Sequence, residues 1–121
     1  HKVVDFLIDS GKVTGCLALD ENTTDKKSFY ADHVMAACGG ISGNLDKVRE
    51  HWYKPWGSAP SDMLNGSHQF ADGLIHDCLE QKNTAITHLD KMWNYAAGIP
   101  HPKPHFPGHG LSLIPCKSVR C

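Results

Sequence analysis

The apolar positions at the amino end of the chain predict an antiparallel β-meander. Val3–Ile8 is rich in strand formers, and alternate positions of Val13–Ala18 share a face with the period of two that a strand has. Between them, Asp9–Lys12 reads Asp-Ser-Gly-Lys, a hairpin turn with glycine where a left-handed backbone is needed. A polar loop follows, and Ser28–Tyr30 predicts a third short strand.

The next apolar run, Val34–Cys38, does not alternate, which indicates a buried strand covered on both faces, as in a parallel sheet. It ends at Gly39-Gly40, and Asn44 is a good N-cap for a helix predicted over Leu45–Trp52. Glycines allow a close approach of another group, and a helix start offers N–H groups to an anion. The residues leave open two interpretations, a cofactor-side turn and a plain strand-to-helix turn.

The clearest helix is predicted over Phe70–Lys82, where the apolar residues form one stripe at helical spacing. Ser67 is placed to cap it, and Asp72 lies in its first turn. A carboxylate there stabilises the helix dipole or accepts hydrogen bonds from a ligand hydroxyl. Ala85–His88 and Leu111–Ile114 predict short strands. The meander, the buried strand and two packed helices together predict an α+β fold.

Composition excludes several classes of protein. The 121 residues carry 12 basic and 13 acidic side chains and a net charge of −1, so nucleic-acid binding is not expected. No apolar run is long enough to predict a membrane span. The five cysteines are odd in number and contain no Cys-x-x-Cys pair, which argues against a disulfide framework and favours a reduced, cytoplasmic setting.

His101, His105 and His109 are evenly spaced in a proline-rich stretch, Ile99–Gly110, and are the candidate metal ligands. The prolines exclude the helix that would place these side chains on one face, and exclude a central strand as well. Zinc needs three or four converging ligands. We therefore expect no metal, and keep a His-rich metal-binding module as an alternative function.

A family resemblance adds to this interpretation. The stretch VMAACGGISGN, Val34–Asn44, resembles the ATGG-type segment of flavoproteins in the fumarate reductase/succinate dehydrogenase group. The upstream stretch VVDFLIDSGKVTGCLALD is similar to the meander that these proteins place before that segment. Downstream, Phe70–Leu74 resembles their Thr-Gly-Asp-Gly helix start. The ketosteroid-dehydrogenase-like branch is the most similar, through segments like Pro60–Leu64, Asp90–Tyr95 and His109–Pro115.

The resemblance implies a fragment of a larger FAD-binding α/β domain. Residues 1–93 would be the middle of the FAD-binding domain and residues 94–121 the start of a substrate-side cap. The Gly-x-Gly-x-x-Gly fingerprint that holds the FAD pyrophosphate in the family has no match in this chain. The resemblance places these residues along the cofactor, with the first by the adenine and the last at the flavin: Val3, Ala37, Cys38, Gly39, Gly40 and Asp72.

Three departures from the family pattern refine the expected chemistry. Cys38 stands where the family has threonine, and Phe70-Ala71 replaces Thr-Gly. The histidine of fumarate reducers has no match, since Met92–Asn94 occupies that region, so fumarate reduction is disfavoured. The resemblance implies hydride transfer between a hydrophobic, steroid-like substrate and flavin, with no catalytic residue assigned. We expect the chain alone to be inactive, to lose FAD and to self-associate; a non-catalytic interaction domain is the remaining alternative.

Overall fold

The computed structural model describes residues 1–95 and 97–113, and they form two compact units. The first unit contains His1–Cys38 and Leu74–Ile86, and the second contains Gly39–Gly73 with the described part of Thr87–Cys121. Within the described residues there are a three-stranded sheet, a two-stranded sheet and two α-helices. The predicted α+β class is confirmed.

The three-stranded sheet of the first unit is the predicted meander. Strands β1 (Lys2–Asp9), β2 (Lys12–Leu19) and β3 (Lys26–Tyr30) pair antiparallel in chain order. The turn between β1 and β2 has positive φ at both central residues, Ser10 (48°) and Gly11 (78°). This is the mirror-image turn that matches the twist of paired strands, so the predicted hairpin is confirmed.

The second helix, α2 (Leu74–Gln81), packs on β1 within the same unit. The Cys78 thiol is buried and donates a hydrogen bond to the Val4 carbonyl at 3.1 Å. Burial raises the pKa of the Cys78 thiol, so the proton needed for this bond is retained. At the end of the helix, Lys82 Nζ lies 2.9 Å from Asp5 Oδ1, and this hydrogen bond lowers the pKa of Asp5.

The helix predicted from Phe70 begins four residues later. Gly73 has a φ of +81°, a left-handed conformation that helical residues do not adopt, so the residues before it are bends and turns. Asp72 therefore precedes α2 rather than lying in its first turn. Ser67 does not cap the helix, since α2 begins seven residues after it, at Leu74.

The first helix, α1 (Leu45–Glu50), lies in the second unit and has the predicted cap. The Asn44 side-chain oxygen accepts hydrogen bonds from the N–H groups of Asp46 and Lys47 at 3.1 and 3.3 Å. The helix ends at Glu50 rather than Trp52, and a 3-10 turn over Lys54–Trp56 follows. Pro55, at the second position of that turn, has no N–H to donate and fits the start of a short helix.

The proline-rich stretch is part of a two-stranded sheet in the second unit. Strands β4 (Gly98–Pro100) and β5 (Gly110–Ser112) pair antiparallel, and Pro100 pairs with Gly110 at their end. The predicted strand Leu111–Ile114 is thus present at Leu111 and Ser112, while Ile114 lies outside the described residues. The strand predicted over Ala85–His88 was wrong, since that segment has no regular structure.

The buried strand predicted over Val34–Cys38 was also wrong. The segment has no strand pairing, and all of it is exposed except the half-buried Val34. An unbroken apolar run becomes a strand only when other strands pair with it and other elements cover its faces. In the described part of the chain no strand pairs with this segment. No helix within that part has the length and apolar character to cross a bilayer.

Candidate cofactor site

The residues implied by the resemblance are distributed over both units. Val3 is on β1 opposite Ala18, with 37% of its surface exposed. Ala37 and Cys38 are exposed at the end of the first unit's opening segment. Gly39, Gly40 and Asp72 belong to the second unit. That unit therefore contains both the double glycine and the Asp-Gly segment.

Two short segments of the second unit, Gly39–Asn44 and His68–Gly73, pack side by side. The Gly43 N–H donates to the Ala71 carbonyl at 2.8 Å. A Cβ on Gly39 would lie 3.6 Å from the Ala71 Cβ, and Gly39 has a φ of +75°. The two sequence motifs that carried the resemblance are thus neighbours in this unit, although about thirty residues separate them in the chain.

Close packing explains two of the glycines in structural terms. A Cβ on Gly43 would overlap the His68 carbonyl oxygen. A Cβ on Gly73 would lie 2.7 Å from Lys47 Cδ and 3.1 Å from Ile41 Cγ2. Since Ile41 is only 3% exposed, it has no room to move aside. These glycines hold the two segments against each other.

Gly40 is different because nothing lies within 4 Å of the position its Cβ would take. Its φ is not in the left-handed region, so backbone geometry does not require glycine there either. A glycine that neither packing nor conformation explains is compatible with the close approach of a ligand to the backbone. Gly40 therefore fits a cofactor-side position. Gly43 and Gly73 do not pass the same test, because close packing already explains why both are glycine.

The start of α1 does not offer an anion site. Its N–H groups at Asp46 and Lys47 already donate to Asn44, and the Asn44 N–H donates to the Ile41 carbonyl at 2.9 Å. A phosphate would have to displace the cap. Of the two interpretations left open by the sequence, the plain turn accounts for the helix start, and among the glycines of this motif only Gly40 has open space at its Cβ position.

Asn65 is the buried polar residue that sequence reasoning missed. It is 4% exposed, and its Nδ2 donates to the Gly43 carbonyl at 3.3 Å while its Oδ1 accepts from the Ser67 N–H. Its own N–H donates to the Gly108 carbonyl at 2.8 Å, and its carbonyl accepts from Gly110 at 2.9 Å. Asn-Gly in a polar loop indicates a turn and gives no signal of burial. Asn65 joins the glycine segment to the histidine-rich loop.

The three histidines of that loop stack instead of converging on a point. The rings of His101 and His109 lie 4.1 Å apart and are 6° from parallel, and Phe106 stacks on His109 at 4.4 Å. The Nδ1 atoms of His101 and His109 accept hydrogen bonds from the N–H groups of Lys103 (3.0 Å) and His105 (3.3 Å). A neutral ring that accepts at Nδ1 carries its proton on Nε2, which leaves no lone pair there for a metal. Among the described residues no group of three His, Cys, Asp or Glu side chains is arranged to hold a metal ion.

The described residues do not form a complete dinucleotide site. Gly40 gives an open backbone, and Asp72, in the neighbouring segment of the same unit, is half-buried. The sequence contains no Gly-x-Gly-x-x-Gly, and the one helix start next to the glycines is occupied by its own cap. A pyrophosphate would therefore need groups other than these.

Known relatives of the chain carry a dehydrogenase name. It is 28% identical over 128 aligned positions to a KsdD-like steroid dehydrogenase of Mycolicibacterium smegmatis. It is 30% identical over the same length to KsdD-like steroid dehydrogenases from two strains of Mycobacterium tuberculosis. Each alignment covers 95% of this chain and 23% of the relative, so the chain spans about a quarter of the length of these curated relatives. No protein-family model and no solved structure matches it.

Proposed function

We propose that this chain is part of an FAD-dependent dehydrogenase that transfers hydride between a hydrophobic, steroid-like substrate and flavin. The observation that carries the proposal is the similarity to KsdD-like steroid dehydrogenases along 95% of the chain. The order of the motifs supports it, since the meander, the double glycine and the Asp-Gly segment follow one another as in the flavoproteins that the sequence resembles.

In this proposal the FAD-binding part is residues 1–93, and residues 94–121 begin the substrate-side cap. The cofactor contacts are Val3, Ala37, Cys38, Gly39, Gly40 and Asp72. The open space beside Gly40 supports a backbone contact, and the half-buried Asp72 carboxylate suits hydrogen bonds from hydroxyl groups of the cofactor. Bound FAD would supply the hydride acceptor, while this chain's residues bind and orient it.

The proposal is tested with the natural protein that carries this chain, purified with its flavin. Gly40→Val adds a branched side chain in a space that no atom of the chain occupies within 4 Å of the Cβ. It should leave folding intact and lower the flavin content per protein by about tenfold or more, because the side chain takes the place of the cofactor. The readouts are flavin absorbance after gel filtration and steroid-dependent reduction of a dye.

Gly66→Val is the matched control. A Cβ on Gly66 meets only the Gly110 carbonyl oxygen, at 3.7 Å, an ordinary contact, and Gly66 is not among the proposed cofactor residues. It should keep its flavin. Equal flavin content in the two variants, or a natural protein that binds no flavin, would contradict the proposal.

The His-rich metal-binding module is less well supported. The stacking of His101 on His109 and the acceptor role of both Nδ1 atoms work against metal coordination by these rings. Metal analysis of protein purified without chelators distinguishes the two functions, since only the module requires a stoichiometric metal.

A further inference from the structure

β3 is the most exposed of the three strands of the first unit. The strand order places β3 beside β2, and among the described residues no strand pairs with its other side. All five residues of β3 are exposed, including Phe29 at 48% and Tyr30 at 76%. An open edge that carries aromatic side chains is a template for pairing with another strand.

The hydrogen bonds fix which residues direct their backbone groups outward. The Ala31 N–H donates to the Thr14 carbonyl at 3.0 Å, so residue 31 faces β2. Because backbone groups alternate along a strand, residues 29 and 27 also face β2. The N–H and C=O groups that point away from β2 are therefore those of Lys26, Ser28 and Tyr30.

The edge lacks two of the features that block pairing, a β-bulge and a proline. The β1–β2 ladder has register shifts, but the β2–β3 ladder runs through all five residues without one, and β3 contains no proline. Lys26 and Lys27 are the only charges on it. Lys27 Nζ lies 3.3 Å from Asp20 Oδ2, so its charge is already compensated within the unit.

We propose that two copies of this chain associate through β3, which pairs antiparallel with the same strand of the partner about a two-fold axis at Ser28. In this register Lys26 lies opposite the partner's Tyr30, and Lys27 lies opposite the partner's Phe29. Each lysine thus meets an aromatic ring, a favourable contact, and no two like charges are opposed. The pairing makes about six hydrogen bonds, two for each outward-facing pair, and joins two meanders into one continuous sheet.

Other registers are worse. A parallel, in-register pairing places both lysines opposite their own copies. An antiparallel pairing centred at Lys27 places Lys27 opposite the partner's Lys27. A pairing centred at Phe29 leaves Lys26 and Lys27 without strand residues opposite them. If the two-fold axis lay between two residues, the outward-facing N–H and C=O groups of one copy would lie opposite residues whose N–H and C=O groups already bond to β2. The proposed register is the one that pairs all five residues.

Disulfide trapping tests the register directly. At an antiparallel hydrogen-bonded pair the two Cα atoms lie about 5.5 Å apart, which suits a disulfide. Ser28→Cys should therefore form a disulfide between the two copies of position 28 on mild oxidation, identified by peptide mapping so that links through native cysteines are not counted. Lys26→Cys is the matched control: its two copies would lie about 13 Å apart along the strand and should not link.

Charge exchange tests the association without a covalent bond. Tyr30→Lys places a lysine opposite the partner's Lys26 and should raise the dimer dissociation constant about tenfold in sedimentation equilibrium. Adding Lys26→Glu to it creates opposite charges across the axis and should restore the dimer. Circular dichroism spectra and melting temperatures confirm that both variants stay folded.

A chain that sediments as a monomer at high concentration would overturn the proposal. So would equal trapping of the Ser28→Cys and Lys26→Cys variants, or a double variant as weak as Tyr30→Lys alone. None of these results bears on the flavin proposal, because β3 includes none of the proposed cofactor residues.

Discussion

His109, in the second unit, is a residue whose ionisation is affected by its surroundings. Its ring is stacked between His101 and Phe106, and His105 lies 5.5 Å away. Burial lowers the pKa of His109 from its ordinary 6.5, and the neighbouring His101 and His105 lower it further, because positive charges on these rings would repel one another. The surroundings of the His109 ring therefore favour its neutral form.

We predict that acidification loosens this stack. Since folding lowers the pKa of His109, the unfolded chain binds the proton more readily. The stabilisation is therefore complete above pH 6.5 and is lost as the pH falls through the lowered value. Proton NMR titration of the His109 ring should give a pKa below 6.5, and His101→Gln should raise it by removing one repelling ring. A pKa at or above 6.5 in the unaltered chain would contradict this.

At the same scale, the sequence does not distinguish one glycine from another. Gly40 and Gly43 lie in one short motif, yet a Cβ would be in open space at Gly40 and would overlap a carbonyl at Gly43. This difference is made by the His68–Ala71 backbone, which comes from a distant part of the chain. Asn65 was missed for the same reason, since its burial depends on Gly108 and Gly110. The motifs of the candidate site could be predicted from the sequence, but the contacts between those motifs could not.

At the scale of elements, Gly73 governs both the start of α2 and the packing before it. Its left-handed φ ends the preceding segment, and the missing Cβ leaves room for Lys47 and Ile41. Gly73 alone thus determines where the predicted helix begins and how closely Lys47 and Ile41 approach the segment before it.

We predict that Gly73→Ala destabilises the second unit by at least about 1–2 kcal/mol. This is the cost of a left-handed L-residue, before the overlap of the new Cβ with Lys47 Cδ is added. Urea unfolding followed by tryptophan fluorescence measures it well, because Trp52, Trp56 and Trp93 all belong to this unit. Gly66→Ala, with only an ordinary contact, should change the free energy of unfolding by less than about 0.5 kcal/mol. Equal losses in the two variants would show that the geometry at Gly73 is unimportant.

Local signals predicted the elements that depend on local interactions. The Ser10-Gly11 turn and the Asn44 cap were both predicted, since each is made by neighbouring residues. The run Val34–Cys38 was misassigned because a strand depends on partners elsewhere. The pairing of β4 with β5 was not predicted, because it joins segments on either side of a proline-rich loop.

At the scale of the whole molecule, the chain spans about a quarter of the length of the curated relatives it matches. The helix start beside the glycines is capped by Asn44, and the pyrophosphate fingerprint is absent from the sequence. Binding energy for FAD would have to come from a small number of contacts.

We predict that the purified chain is colourless and does not retain FAD. After incubation with excess FAD and gel filtration, the protein peak should have no flavin absorbance, because the groups that hold the pyrophosphate are missing. The natural protein carrying this chain, treated in the same way, provides the comparison. A stoichiometric yellow complex with the chain alone would contradict the prediction.

The register shift between Val3 and Asp5 has a consequence for how this sequence varies in evolution. Val3 pairs with Ala18 and Asp5 with Leu17, so Val4 is an additional residue with no place of its own in the ladder. A β-bulge is one extra residue inserted into one strand of an antiparallel pair, so removing that residue restores a regular ladder. A homologue one residue shorter here would keep Val3 opposite Ala18 and Asp5 opposite Leu17, so Val3 would stay on the same face of the sheet as Ala18. Alignments of this stretch should therefore place a one-residue gap at Val4, because a gap at that position leaves Val3 on the same face of the sheet.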